Sequence, residues 1–357
     1  MSIDLKEYGL NERFEQEATL YEGLFLARVV EQHRDLYRVV CKGGEISAGV
    51  SGKLAHDASD QTDFPAVGDW VMIDRTCEES GSAVIHHVLR RKSMLARQSA
   101  GTAASGQIIA ANIDTVFICM SLNADFNLRR MERYLTLVWD SMATPVIVLT
   151  KSDLCDDLQQ KLDEIATVSM GIEVIICSSE DGSGFEEIST HIECGKTIAF
   201  IGSSGVGKST LINRLVGQDM MKTSATRQDD KGRHATTHRQ LILLPGGGTV
   251  IDTPGMRELQ MRGGDLSKTF EDVEEIFQRC KFRDCSHGTE AGCAIKEAIE
   301  EGTLSQERFE SYQKLQREVS YASLNSRQIE NEKINQWFGG MNGKNQIKQF
   351  KRSLKKR

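Results

Sequence analysis

The stretch GSSGVGKST, residues 202–210, limits the fold of this chain more than any other. It fits the pattern G-x-x-x-x-G-K-[ST] through Gly202, Gly207, Lys208 and Ser209. A loop of this kind leaves a buried strand and enters a helix, so that successive backbone N–H groups point at phosphate oxygens. The flanks TIAFI and TLINRL supply that strand and that helix. Glycine permits the bend and the close approach of a ligand, and the helix N-terminus adds partial positive charge. Gly202, Ser203, Ser204, Gly205, Val206, Gly207 and Thr210 are expected to form the cradle. Lys208 is expected to reach the β- and γ-phosphates, and the Ser209 hydroxyl to ligate Mg²⁺. A plain glycine turn between strand and helix is the bland alternative, and flanks of both required types speak against it.

Around the loop, strands and helices alternate. TVFICMSL (115–122), PVIVLT (145–150), EVIICS (173–178) and KTIAFIG (196–202) read as strands. RRMERYLTLVWD (129–140), LQQKLDEIATV (158–168) and STLINRLVG (209–217) have helical spacing, and LILLPGGGTVIDT (241–253) reads as two strands about a glycine turn. Such alternation predicts an α/β domain with a mostly parallel sheet and flanking helices. Ahead of it, LFLARVV (24–30), YRVVC (37–41), ISAGVSGKL (46–54), DWVMID (69–74) and AVIHHVL (83–89) read as five short strands, a number that suits a small barrel such as an OB-fold. The Gly/Ser-rich piece ARQSAGTAASGQ (96–107) reads as a linker. Beyond about residue 264 charged helical patterns dominate, and the tail GKNQIKQFKRSLKKR (343–357) carries seven basic residues and no acid.

The phosphate loop alone does not choose between adenine and guanine. TKSD, residues Thr150, Lys151, Ser152 and Asp153, makes that choice. It ends a strand, at the sheet edge where ligands bind. The Asp153 carboxylate can accept from guanine N1–H and the 2-amino group, a donor pair that adenine lacks. CSSEDG (177–182) ends the next strand, and a backbone N–H near Ser178 or Ser179 would meet guanine O6. In DTPG (252–255), Asp252 suits Mg²⁺ held through water, and the Gly255 N–H suits a γ-phosphate sensor. Between the loop and DTPG lies RQDDKGRHATTHRQ (227–240), where Thr236 and Thr237 are expected to close over Mg²⁺. Many GTPases place Gln directly after the DxxG glycine to orient water. Met256 cannot do so, which makes His234 the first choice for that task and His238 the second.

CKFRDCSHGTEAGC (280–293) supplies Cys280, Cys285, His287 and Cys293 with the spacing C-x4-C-x-H-x5-C. Three thiolates and one imidazole make a closed tetrahedral set, which predicts one structural Zn²⁺ rather than a catalytic one. Nine cysteines in a chain whose N-terminus, MSIDLKEYGLNERFEQEA, is unlike a signal peptide suit a reducing cytoplasm. No apolar run reaches 18 residues, so no membrane span is expected. The net charge of −7 excludes a wholly basic coat. Contact with nucleic acid would have to use local patches, the tail first and Arg90, Arg91 and Lys92 next.

The order of these parts carries information. TKSD and the serine loop come first, then the phosphate loop, the threonines and DTPG. Most GTPases place the phosphate loop first, so this is the same set circularly permuted, and a permuted chain can build the same sheet. With PAVGDWV (65–71), GRHATTH (232–238) and the Cys/His cluster, the combination closely resembles the RsgA/YjeQ family of circularly permuted GTPases. That family reads His and three threonines where this chain has Ala235 in place of the first, and it too places a hydrophobic residue after DxxG. The resemblance implies an OB-fold barrel with an N-terminal extension over 1–95, a linker over 96–110 and a permuted GTPase domain over 111–264. A helical zinc-binding domain over 265–340 and a basic tail over 341–357 complete it. It further implies GTP hydrolysis to GDP, binding to the 30S ribosomal subunit and its 16S rRNA, stimulation by that subunit, and a role late in its assembly. A cytoplasmic monomer is expected. Two other readings are a GTP-dependent RNA-binding switch with negligible turnover, and a P-loop kinase, against which Asp153 speaks.

Overall fold

The structure, a computed structural model, describes residues 2–33, 36–77, 81–98, 106–217, 239–253, 265–288 and 290–322. His234, Thr236, Thr237, Gly255 and the basic tail lie outside them. A short helix, α1 (Glu12–Ala18), is capped by Asn11, whose side chain accepts from the Phe14 N–H at 3.3 Å. Five strands follow: β1 (Phe25–Gln32), β2 (Tyr37–Cys41), β3 (Gly44–Val50), β4 (Trp70–Ile73) and β5 (Ala83–Val88). The segment read as a strand over 46–54 stops at Val50, because the Ser51 hydroxyl accepts from the Leu54 N–H and starts α2 (Gly52–Asp57). The strands run in the order β1-β2-β3-β5-β4, and pairing of β1 with β4 closes the barrel. Their alternate β-branched side chains, among them Val29, Val39, Ile46, Val71, Ile73 and Ile85, fill its interior.

The expected linker is different. β6 (Met94–Gln98) and β7 (Gly106–Ala111) pair as an antiparallel ribbon. Leu95, Ile108, Ile109, Ala110 and Ala111 are buried, so the apolar ends outweigh the small polar residues between them.

The second layer of the chain comprises β8 (Thr115–Ser121), α3 (Leu128–Asp140), β9 (Thr144–Thr150), α4 (Leu158–Ala166), β10 (Val174–Ile176), α5 (Phe185–Thr190), β11 (Thr197–Gly202), α6 (Lys208–Val216), β12 (Arg239–Leu243) and β13 (Thr249–Asp252). β10-β9-β8-β11-β13 are parallel neighbours, and β12 is antiparallel to β13. Both faces are covered. Val116, Ile118 and Met120 of β8 pack with Met131, Tyr134, Leu135 and Val138 of α3. Phe117 and Cys119 face Phe185 and Ile188 of α5 and Leu211 and Ile212 of α6. Two-sided burial is why these strands read as nearly continuous apolar runs.

β12 also pairs with β1, so barrel and α/β layer share one eleven-stranded sheet. A bulge between Val29 and Glu31 bends β1, which lets its last two residues, Glu31 and Gln32, meet Gln240 and Arg239. The buried Arg28 reinforces the junction. It donates to the Gly68 carbonyl at 3.2 Å, to Thr197 Oγ1 at 2.9 Å and to the Tyr8 carbonyl, over the face of Trp70. Burial lowers its pKa to about 10, which leaves it charged at neutral pH.

The last described part holds α7 (Glu271–Phe277), α8 (Ala294–Glu300) and α9 (Gln306–Ala322) around a separate core of Phe270, Val273, Ile295, Phe309, Tyr312 and Leu315. It docks on α3. Glu132, fully buried, accepts from Arg308 Nη1 at 2.8 Å and Ser311 Oγ at 2.5 Å. Arg308 also pairs with Asp272 at 2.6 Å, Arg133 with Glu318 at 2.6 Å, and Thr136 meets Thr269 at 3.1 Å. Among the described residues no helix is long and apolar enough to cross a membrane.

Candidate functional site

β9 and β11 are parallel and separated only by β8, so TKSD and the phosphate loop emerge at the same sheet edge. They touch. Thr150 Oγ1 donates to the Val206 carbonyl at 2.6 Å. This bond ties the start of TKSD to the phosphate loop. Lys151 turns the chain with a left-handed φ of 60°, and the Ser152 N–H donates to the Cys177 carbonyl at 3.3 Å. Ser178 is buried, and its Oγ donates to Asp153 Oδ1 at 2.6 Å. Ser179 is exposed. Of the two serines, Ser178 therefore fixes the Asp153 carboxylate.

At Gly202 any side chain would collide, because an added Cβ would lie 2.4 Å from the Cys119 carbonyl oxygen at a φ of +147°. Gly205 and Gly207 are left-handed, at φ 79° and 105°. Lys208 opens α6 and donates from Nζ to the carbonyls of Gly202 at 2.8 Å and Ser203 at 2.6 Å. An ammonium has three donors, so one remains for a phosphate oxygen. Burial lowers the Lys208 pKa against the opposing pull of Cys119 and Asp252. Asp252 ends β13. Burial pushes its carboxyl up to about 6 despite the Lys208 charge. A buried carboxylate beside a phosphate loop is suited to a cation. Asp252, with the Ser209 hydroxyl in the first turn of α6, could hold Mg²⁺, which would neutralise phosphate charge when bound.

One contact to this loop has no signal in the sequence. Arg130, on α3, donates from Nη1 to Ser203 Oγ at 2.5 Å and to Asp125 Oδ2 at 2.8 Å. Its position was legible only as part of an amphipathic helix. The structure also thins the second basic patch. Arg91 forms a two-pronged pair with the buried Asp69, at 2.8 and 2.7 Å, and Lys92 pairs with Asp114 at 2.7 Å. Arg90 is exposed and borders an open groove of about 740 Å³ with Arg13, Gln16 and Glu17.

Cys280, Cys285, His287 and Cys293 converge, with one donor atom from each lying within 4.8 Å of the others. His287 Nδ1 stands 3.7 Å from Cys280 Sγ and 3.5 Å from Cys293 Sγ. Ligands about 2.3 Å from a tetrahedral centre would be separated by about 3.8 Å, so the set fits a metal ion. Phe277 stacks on the imidazole at 4.3 Å, and burial lowers the His287 pKa, favouring the neutral form that ligates. The other six cysteines are free thiols.

Comparison with known proteins agrees with this geometry. The RsgA GTPase family model matches residues 88–262. An ABC transporter model matches residues 185–352. The overlap contains the phosphate loop, while TKSD lies outside the second span. A Lactiplantibacillus plantarum protein named Small ribosomal subunit biogenesis GTPase RsgA 2 is 54% identical, covering 98% of this chain and 99% of its own length. A Listeria innocua protein named Small ribosomal subunit biogenesis GTPase RsgA 1 is 43% identical over 93% of this chain and 94% of its own. The crystal structure of YjeQ from Thermotoga maritima aligns with a TM-score of 0.59 and 28% identity, over 83% of this chain and 98% of that one. That of YloQ, titled a circularly permuted GTPase, aligns at 0.57 and 26%, over 85% and 98%. The chain belongs to the RsgA GTPase family and is a GTP-hydrolysing enzyme with a circularly permuted nucleotide domain.

Proposed function

We propose that this GTPase binds the 30S ribosomal subunit, assists its late maturation, and turns over GTP faster on the subunit than alone. The observation that carries the reading is the 54% identity along nearly the whole chain to a protein named for small ribosomal subunit biogenesis. In the nucleotide site, Asp153 reads guanine, supported by Thr150, Lys151, Ser152 and the Ser178 hydrogen bond. Backbone at Ser178 or Ser179 meets the base oxygen. The loop from Gly202 to Thr210 holds the phosphates with Lys208, and Ser209 and Asp252 serve Mg²⁺. Thr236 or Thr237 closes over the ion, Gly255 senses the γ-phosphate and His234 orients water. Cys280, Cys285, His287 and Cys293 hold one structural Zn²⁺. The barrel over 1–95, nucleotide domain over 111–264 and metal-held domain over 265–340 act as the working parts of a cytoplasmic monomer. The tail over 341–357 and the groove beside Arg90 supply the charge for 16S rRNA.

Turnover measured with and without purified 30S subunits tests this. The wild type is expected to be stimulated, and His234→Ala to lose about a hundredfold of the stimulated rate. An unstimulated wild type would overturn the ribosomal reading.

A further inference from the structure

We propose that Arg130 is a positioning residue for the phosphate loop, acting through the side chain of Ser203. The inference rests on the guanine-nucleotide reading of the site and extends it to a helix outside the recognised motifs. Arg130 stands in the first turn of α3, where its backbone N–H is capped by Asn127 Oδ1 at 2.9 Å. Its guanidinium is fixed by Asp125, through Oδ2 at 2.8 Å and the carbonyl at 3.4 Å, and from there donates to Ser203 Oγ at 2.5 Å. Tyr134, one turn later on the same face, also hydrogen-bonds Ser203. Ser203 is buried. It is the second residue of the loop, and its carbonyl accepts from Lys208 Nζ at 2.6 Å.

One loop residue is thus gripped at both ends, by α3 through its hydroxyl and by the phosphate-binding lysine through its carbonyl. Backbone N–H groups that must point at phosphate oxygens depend on such support, since a site held loosely by its surroundings loses its geometry. Both bonds leave from Nη1, and arginine suits the task better than lysine because the planar guanidinium fixes the directions of its N–H groups while an ammonium rotates freely. Arg130 need not touch the reacting atoms. The phosphates it affects are those common to GDP and GTP, so its removal should weaken both nucleotides and raise KM more than it lowers kcat.

The test is a double-mutant cycle on the full chain, read as the Kd for fluorescently labelled GDP, with KM and kcat measured alongside. Arg130→Ala and Ser203→Ala are each expected to weaken binding about tenfold, the scale of one hydrogen bond to a charged donor. The double variant is expected to be no weaker than the worse single one, because both remove the same contact. Multiplicative losses, or an Arg130→Ala Kd within about twofold of wild type, would overturn the proposal. If Arg130→Ala does not fold, Arg130→Lys serves instead, with an intermediate Kd expected and a wild-type Kd as the overturning result. Asp153→Asn separates this claim from its foundation. Should that variant bind GDP as the wild type does, the guanine reading fails while the Arg130–Ser203 coupling stands on its own measurement.

Discussion

Asp252 is a buried carboxyl whose charge the proposed Mg²⁺ role would need. Its carboxyl titrates at about 6 in the fold against 3.8 for an unperturbed aspartate. Between those values the folded chain holds a proton that the unfolded chain has lost, so this group's contribution to stability falls as pH rises to about 6 and stays low above it. Asp252→Asn removes the ionisation. Free of nucleotide, the variant is expected to be more stable than wild type at about pH 7.5, by on the order of 3 kcal/mol at most. The gain should shrink towards about pH 5. Calorimetry at both pH values checks this, and an equal gap at the two would contradict it. The same variant should lose Mg²⁺-dependent hydrolysis. Ser178→Ala should weaken GDP binding about fivefold by releasing the Asp153 carboxylate, measurable by titration calorimetry. The positions of Asp252 at a strand end and Asp153 just past one were legible from their motifs. The burial of Ser178 and exposure of Ser179 were not, since they depend on which side chain faces inward after the strand ends.

Among the elements, α3 shows how far a helical pattern can be read. Its apolar spacing predicted the helix, and the apolar face packs on β8. Its polar face, which a pattern assigns to solvent, instead holds Glu132 against Arg308 and Ser311 in a buried network. Glu132→Ala would leave Arg308 paired with Asp272 alone and take away the acceptor of Ser311, a loss of about 1.5–3 kcal/mol. The expected readout is faster hydrogen exchange along α9, with α6 unaffected. The convergence of the Cys/His cluster was legible from spacing, because its four side chains fall within fourteen residues. Cys285→Ser should release the metal and loosen α7 and α8, seen together as lost zinc in elemental analysis and lost helical signal. Retained zinc would contradict it. The β6–β7 ribbon escaped notice because its Gly/Ser-rich middle dominates the composition while its apolar ends do the pairing.

At the scale of the whole molecule, the permuted order of motifs disclosed the nucleotide domain, and five short apolar runs disclosed the barrel. Nothing local could disclose their fusion, because it rests on pairs as remote as Glu31 with Gln240 and on Arg28 reaching Thr197. That fusion bears on how the chain can be divided. The partner of β12 on its outer side is β1, and a version beginning at residue 106 would leave that side without one. A bare strand edge is a template for another chain. Such a shortened protein is expected to elute as dimers or larger species in size-exclusion chromatography, and the full chain at a smaller size than it. The barrel, whatever else it contacts, covers the strand edge through which a second copy could otherwise add.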